Sequence, residues 1–315
     1  DVENNFTLEL TAQPTANAGA DDTVCESQSY TVSDATSANT NSLTWTSNTG
    51  SGTFINANTL NPTYTPGSVD LLNGYFILTL TVSGDFPCAT ASDQKYVEII
   101  LNPTVDVGPN QTTCSDSPFA ISIIYVENYA ALDWTTSGDG LFSNPQVENP
   151  TYTPGPLDIA NGNVLLSLTA MAMQPCTQDA VDSLILYFNV AVTVNAGPDL
   201  VFCEDNTVLL NGSASNYQSV SWTTSGDGSF TDPNLLQSEY VPGVNDLISG
   251  TVNITLEAIG IAPCSNQTDD LTVTFTKSPS IDIGTDIVAC ENETITFTDV
   301  IIQQYDTLNW THSGT

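Results

Sequence analysis

A cysteine, a tryptophan about twenty residues further on and then a Pro-Cys pair recur roughly every 88 residues along this 315-residue chain. Cys25, Cys114, Cys203 and Cys290 open the pattern. Trp45, Trp134, Trp222 and Trp310 follow, and Pro87-Cys88, Pro175-Cys176 and Pro263-Cys264 close it. A fixed period of this length means that one supersecondary unit has been copied, so function belongs to the array or to its outer face.

Other landmarks keep the same phase. Thr63-Tyr64-Thr65-Pro66-Gly67 returns as Thr151-Tyr152-Thr153-Pro154-Gly155 and, weakened, as Glu239-Tyr240-Val241-Pro242-Gly243. Each is followed by an acid-led turn: Asp70 to Gly74, Asp158 to Gly162, Asp246 to Gly250. Ser137-Gly138-Asp139-Gly140 matches Ser225-Gly226-Asp227-Gly228, with Thr49-Gly50-Ser51-Gly52 and Ser313-Gly314-Thr315 in the same place. These glycine segments read as tight hairpin turns in which Asp-Gly supplies positive φ.

Aligning on Gly19, Gly108, Gly197 and Gly284 divides the chain into repeats at 14–102, 103–191 and 192–278. Residues 279–315 read as the start of a fourth repeat, and residues 1–13, with Phe6-Thr7-Leu8-Glu9-Leu10, as the last strand of a preceding one. The expectation is a window from a longer polypeptide, with the partner of Cys290 beyond it. The other six cysteines pair by phase within repeats, Cys25 with Cys88, Cys114 with Cys176 and Cys203 with Cys264. Such regular bridging implies an oxidising, extracytoplasmic compartment. There is no Cys-x-x-Cys and only one histidine, which disfavours metal binding by these thiols.

Within each repeat, Phe76, Leu78, Leu80 and Val82 alternate with less apolar residues. Val164, Leu166, Leu168 and Ala170 do the same, as do Val252, Ile254, Leu256 and Ala258. Period-two alternation at constant phase marks one strand with one buried face. Thr, Val, Ile and Tyr are abundant and no stretch holds a 3.6-residue apolar period, so the fold class is all-β. The repeat length suits an immunoglobulin-like or PKD-like β-sandwich, the repeats running end to end, with Trp45, Trp134, Trp222 and Trp310 as core residues beside disulfides.

Two lysines, Lys95 and Lys277, face 36 acids, for a net charge of −34. That balance excludes nucleic acid and anionic membrane as partners through a basic patch. Acid-rich repeats raise the question of calcium, with Asp21, Asp22, Asp106, Asp199, Asp282 and Asp286 as candidate ligands near repeat junctions. Their spacing fits no EF-hand loop, and Asn110 stands where Asp199 and Asp286 stand. No other cofactor is implied. The only histidine, His312, aligns with Thr136 and Thr224, so no Ser-His-Asp or Cys-His set is available to the complete repeats, and the chain reads as non-enzymatic.

Taken together, the Pro-x-x-x-x-Gly openings (Pro103 to Gly108, Pro279 to Gly284), the Cys-Glu pairs at Cys25, Cys203 and Cys290, the Trp-Thr-Thr-Ser-Gly-Asp-Gly runs from Trp134 and Trp222, the Asn-Pro-Thr-Tyr-Thr-Pro-Gly runs from Asn61 and Asn149 and the Pro-Cys closures resemble the tandem repeats of very large surface proteins of Bacteroidota. The SprB-like gliding-motility adhesins exported by the type IX secretion system are of this kind. The resemblance covers the whole chain and is specific for the repeat type rather than for one protein. It implies an extracellular, outer-membrane-associated filament or adhesin stalk. Its partners would be an external surface or polysaccharide, and secretion and motility machinery reached through regions outside the window. It also implies O-glycosylation at Asp-Ser/Thr-apolar triplets, which places candidates at Thr23, Ser183 and Thr307. The alternatives are a glycan-binding array, in which every repeat carries a shallow site, and a spacer within a secreted multidomain enzyme.

Overall fold

The computed structural model describes residues 6–204 and 206–313. The chain folds into two compact units, one of Asp1–Gln111 with Pro118–Tyr187, the other of Thr112–Ser117 with Phe188–Thr315. Strands dominate both, as the alternation requires.

The first repeat sets the pattern. Its strands are β1 (Thr15–Asn17), β2 (Asp22–Cys25), β3 (Tyr30–Thr31), β4 (Thr36–Ala38), β5 (Ser42–Ser47), β6 (Thr53–Ile55), β7 (Thr63–Thr65), β8 (Tyr75–Ser83) and β9 (Ala91–Ile100), with a short helix α1 (Ser68–Asn73) before β8. One sheet runs β2-β9-β8-β5 and the other β3-β7-β6, while β1 pairs with β4. The pairings are antiparallel except β2 with β9, which is parallel and sets Cys25 opposite Ile100. This is the two-sheet arrangement of an immunoglobulin-like sandwich. The third repeat repeats it: Leu200–Cys203 lies parallel to Gln267–Thr276, followed by Thr251–Gly260 and Tyr217–Thr224, and Val208–Asn211, Gln237–Val241 and Ser229–Phe230 form the second sheet. In the second repeat, Asn163–Ala172 pairs antiparallel with both Tyr129–Thr136 and Ala180–Asn189.

The buried faces are those the alternation marks. Phe76, Leu78, Leu80 and Val82 are fully buried, and their counterparts Leu166, Leu168, Ala170, Ile254, Leu256 and Ala258 are equally so. Trp45, Trp134 and Trp222 lie in the core. Each indole N–H is satisfied by a carbonyl, of Thr59 (3.0 Å), Val147 (3.1 Å) and Leu235 (2.9 Å) respectively. A buried indole needs such a partner.

Three parts differ from the sequence reading. The acid-led turns are one-turn helices, Ser68–Asn73, Pro156–Asn161 and Val244–Ser249, each ended by a left-handed glycine (Gly74, Gly162, Gly250). Six residues are too few to show a helical period. Residues 6–13 form no strand, and the first five residues of the expected preceding strand lie outside the described ones, as do Gly314 and Thr315. In the fourth segment only Ser280–Asp282 and Ile301–Gln303 pair among the described residues. Trp310 is 55% exposed and stacks on Phe297 at 5.2 Å, so its assignment to a core is corrected. No strand follows Gln303 among the described residues, whereas β5, which carries Trp45, is paired with β8.

Candidate functional site

Each complete repeat carries the same buried carboxylate. Asp70, Asp158 and Asp246, third residues of the three short helices, are 0%, 1% and 2% exposed. In the second repeat Asp158 accepts from the Tyr152 hydroxyl (2.7 Å) and from the backbone N–H groups of Gly155 (3.0 Å), Gly140 (3.1 Å) and Asp139 (3.2 Å). Asp246 accepts from Tyr240 (2.6 Å), Gly243 (2.8 Å) and Asp227 (3.2 Å). Asp70 accepts from Tyr64 (2.7 Å), Gly67 (2.9 Å) and the Thr49 hydroxyl. A buried carboxylate is tolerable only when its lone pairs are satisfied in this way.

The Ser-Gly-Asp-Gly segments complete the corner. Their glycines do not take positive φ, contrary to the hairpin reading; among the described equivalents only Gly50 does. They are glycine because the loop wraps tightly round the carboxylate. A Cβ on Gly138 or Gly226 would lie 1.6 Å from Asp158 or Asp246, and one on Gly140 or Gly228 would lie 2.4 Å from the Tyr152 or Tyr240 hydroxyl. Asp139 and Asp227 turn back to accept the first N–H groups of the helices, at Leu157 and Asp158 and at Asn245 and Asp246. A carboxylate at a helix start is favourable. In the first repeat Ser51 stands in that place.

Burial, and then the bond to the carboxylate, pushes Tyr240 up to about 12. Tyr152 is also pushed up to about 12, first by burial, with the Thr136 bond opposing and the Asp158 bond reinforcing. Burial alone would raise Asp70; the bonds from Thr49, Gly67, Tyr64 and Ser51 together hold it below the usual carboxylate range. Each tyrosine hydroxyl is held pointing at its carboxylate. The corner is a structural clasp between helix, sheet and loop.

Five of the six calcium candidates bond to the backbone. Asp21 accepts from Tyr96 N–H (2.9 Å), Asp199 from Thr272 N–H (2.8 Å) and Asn110 from Ile185 N–H (2.8 Å). That position needs an acceptor oxygen rather than a charge, which is why asparagine serves. Asp22 accepts from Thr23 N–H and the Tyr30 hydroxyl, Asp106 from Gly108 N–H and Asp282 from Gly284 N–H. Among the described residues no three His, Cys, Asp or Glu side chains gather where they could hold a metal, Asp286 included. The glycosylation candidates Thr23, Ser183 and Thr307 are all exposed. Asp182 of the middle triplet accepts from Val107 N–H (2.9 Å), as Asp93 does from Ala18 and Asp269 from Ala196. His312 is exposed and lies outside any strand.

The disulfides correct the sequence reading most sharply. Cys25 is bonded to Cys176 and Cys114 to Cys264, with Cα separations of 4.9 and 4.8 Å; Cys88, Cys203 and Cys290 are free thiols. Pairing within repeats fails for a geometric reason. Cys25 sits opposite Ile100 at the far end of β9, whereas Cys88 lies in the hairpin before that strand begins. A ten-residue strand at ~3.3 Å per residue separates the two by about 30 Å, far beyond the ~7 Å that a bridge spans. The hairpin of the following repeat reaches that far end instead, its Cys176 Sγ lying 3.3 Å from the Ile100 carbonyl. Cys264 Sγ meets the Asn189 carbonyl in the same way at 3.3 Å, and Cys88 Sγ meets that of Thr11 at 3.4 Å. Each bridge therefore joins the first cysteine of one repeat to the second cysteine of the next.

Sequence reasoning misses one further residue. Lys95 occupies the core position held by Leu184 and Leu271 and is 1% exposed. Its ammonium meets Asp34 Oδ1 at 2.5 Å and lies 5.5 Å from the Tyr30 ring centroid. That bond holds the Asp34 carboxyl below its usual range.

No family model matches the chain, and no curated protein does. Among solved structures it is similar to Sidekick-1 immunoglobulin domains 1–5 (13% identity, TM-score 0.40, covering 86% of this chain and 60% of that one). It is also similar to mouse Cadherin-23 EC22-24 (13% identity, TM-score 0.40, 84% and 99%) and to Protocadherin Gamma B2 extracellular cadherin domains 1-5 (13%, 0.34, 86% and 62%). The chain thus spans less than two thirds of the Sidekick-1 and Protocadherin Gamma B2 structures. At these scores the likenesses carry no argument about ligands or partners.

Proposed function

We propose that this chain is a structural and adhesive segment of an extracellular surface protein, built from repeats 14–102, 103–191 and 192–278 that act as stalk units. The observation that carries the reading is what stays in phase. Core tryptophan, carboxylate corner, edge acceptors and bridge cysteines are all framework residues, while the short-strand stretches 36–42 and 213–219 share little sequence. Disulfides between repeats suit an oxidising exterior. The finer reading, an outer-membrane-associated adhesin of the gliding-motility type carried by type IX secretion, rests on the sequence resemblance alone.

Deleting residues 103–191 in frame from the surface protein tests it. The deletion removes Cys114 and Cys176 together and leaves Cys25 facing Cys264 in the same phase, so a Cys25–Cys264 bridge forms. A stalk then shortens by one increment and keeps its attachment. If each repeat instead carries its own glycan site, attachment weakens with every repeat removed, because avidity follows the number of sites engaged. Progressive loss of attachment would overturn the stalk reading.

A further inference from the structure

The two bridges close loops with sequence separations of 151 and 150 residues, and the loops overlap from Cys114 to Cys176. Every peptide bond between Cys25 and Cys264 therefore lies inside at least one covalent ring. Pairing within repeats would have left the segments 89–113 and 177–202 outside any ring. Those segments contain the joints, where the chain passes from one repeat to the next.

The joints are also where a surface stalk is open to attack. Leu101 is 37% and Val190 49% exposed, and each joint is a short strandless stretch. Exposed irregular backbone is the usual place of proteolytic nicking. At each joint the residue after the first cysteine of the preceding repeat holds the departing chain. Glu26 accepts from Asn102 N–H at 2.9 Å, Ser115 accepts from Ala191 N–H through its hydroxyl at 3.0 Å, and Glu204 accepts from Ser278 N–H at 3.3 Å. Bridge and joint are thus adjacent at the same end of a repeat.

We propose that the bridges are covalent shunts across the joints, so that a single backbone scission anywhere from Cys25 to Cys264 leaves the two parts joined. Parting requires two events, hydrolysis of a peptide bond and reduction of each disulfide that spans the cut. Reduction takes two electrons from a dithiol or phosphine, and each cystine becomes two cysteine thiols. A single protease cut within that span, or a reductant alone, leaves its two sides joined.

The chain's own composition supplies the test. Lys95 and Lys277 are its only lysines, it has no arginine, and Met171 and Met173 are its only methionines. The oxidised full chain is denatured, its free thiols are alkylated, and it is cut with a lysine-specific protease and cyanogen bromide. The expected product is one species holding 1–95, 96–171 and 174–277 together, with 278–315 released, and adding a phosphine resolves the three. Release of 1–95 without reductant, which Cys25–Cys88 pairing would give, overturns the proposal. Release of 96–171 without reductant overturns it equally, because the Cys114–Cys264 ring would then be absent. A second arm nicks the native chain with a broad-specificity protease. The span from Cys25 to Cys264 should stay one covalent species without reductant and part into fragments with it; fragments of that span released without reductant would contradict the shunt.

Discussion

Segments 192–278 and 279–313 begin with the same landmarks in the same order: a glycine with positive φ, a cysteine, and a tryptophan about twenty residues later. Yet Trp222 is 2% exposed and Trp310 is 55% exposed. Trp222 lies in the strand Tyr217–Thr224, whereas Trp310 lies outside any strand. In the third repeat burial comes from Thr251–Gly260, which pairs with the tryptophan strand and sets Leu256 opposite Trp222, and from the second sheet facing it. Phase in the sequence identifies equivalent positions, and the elements that come after decide what those positions experience.

The largest effect should separate the two tryptophans directly. Trp222→Ala should cost about 3–5 kcal/mol in denaturant unfolding, whereas Trp310→Ala should stay within about 0.5 kcal/mol. Equal losses would mean that Trp310 is as buried as its counterpart and would break the comparison. Next comes the corner. Asp246→Ala strands the Gly243 N–H and leaves the Tyr240 hydroxyl only Thr224, at a cost of about 3 kcal/mol, while Asp227→Ala, losing only the exposed helix cap, should cost about 1 kcal/mol.

The corner also predicts an alkaline limit. Tyr152 and Tyr240 are raised to about 12, so the folded chain holds their protons more tightly than the unfolded chain does. Their contribution is complete below the ordinary tyrosine value near 10 and is lost as pH rises towards about 12. Melting temperature measured across that interval should fall, and Tyr240→Phe should flatten the fall; a slope that the substitution leaves unchanged would remove Tyr240 from the account. The smallest effect belongs to Lys95→Leu. Leucine already fills the equivalent position twice, so the change should be within about 1 kcal/mol of neutral, while Lys95→Ala, which leaves a cavity, should cost more. A large loss for leucine would show that the ion pair with Asp34 organises the first repeat.

Strand identity, repeat phase and the core faces of β8 and its counterparts are legible in the sequence because each shows as a period in the residues themselves. The buried aspartates show there only as turn starters. What distinguishes them is distant in sequence: the tyrosine six residues earlier, and the glycine loop about twenty residues earlier whose missing side chains make room. Phase misleads on the bridges for a related reason. It says which cysteines are alike, but not that a ten-residue strand carries the first and second cysteines of a repeat to opposite ends of the sandwich. The parallel pairing of β2 with β9 is the missing fact, and composition does not carry it. Asn110 stands in line with Asp21 and Asp199 and, like them, accepts a backbone N–H, a task an amide oxygen can do.

The bridge pattern also changes what counts as a part. A stretch such as 14–102 is a unit by descent and by its hydrophobic core, yet expressed alone it would hold Cys25 without Cys176, its disulfide partner. The pieces that close a native ring run from Cys25 to Cys176 and from Cys114 to Cys264, and each takes in two neighbours. Dissection of this chain for binding or stability work should therefore proceed in overlapping pairs, because a repeat excised singly is a different redox species from the same repeat in the array.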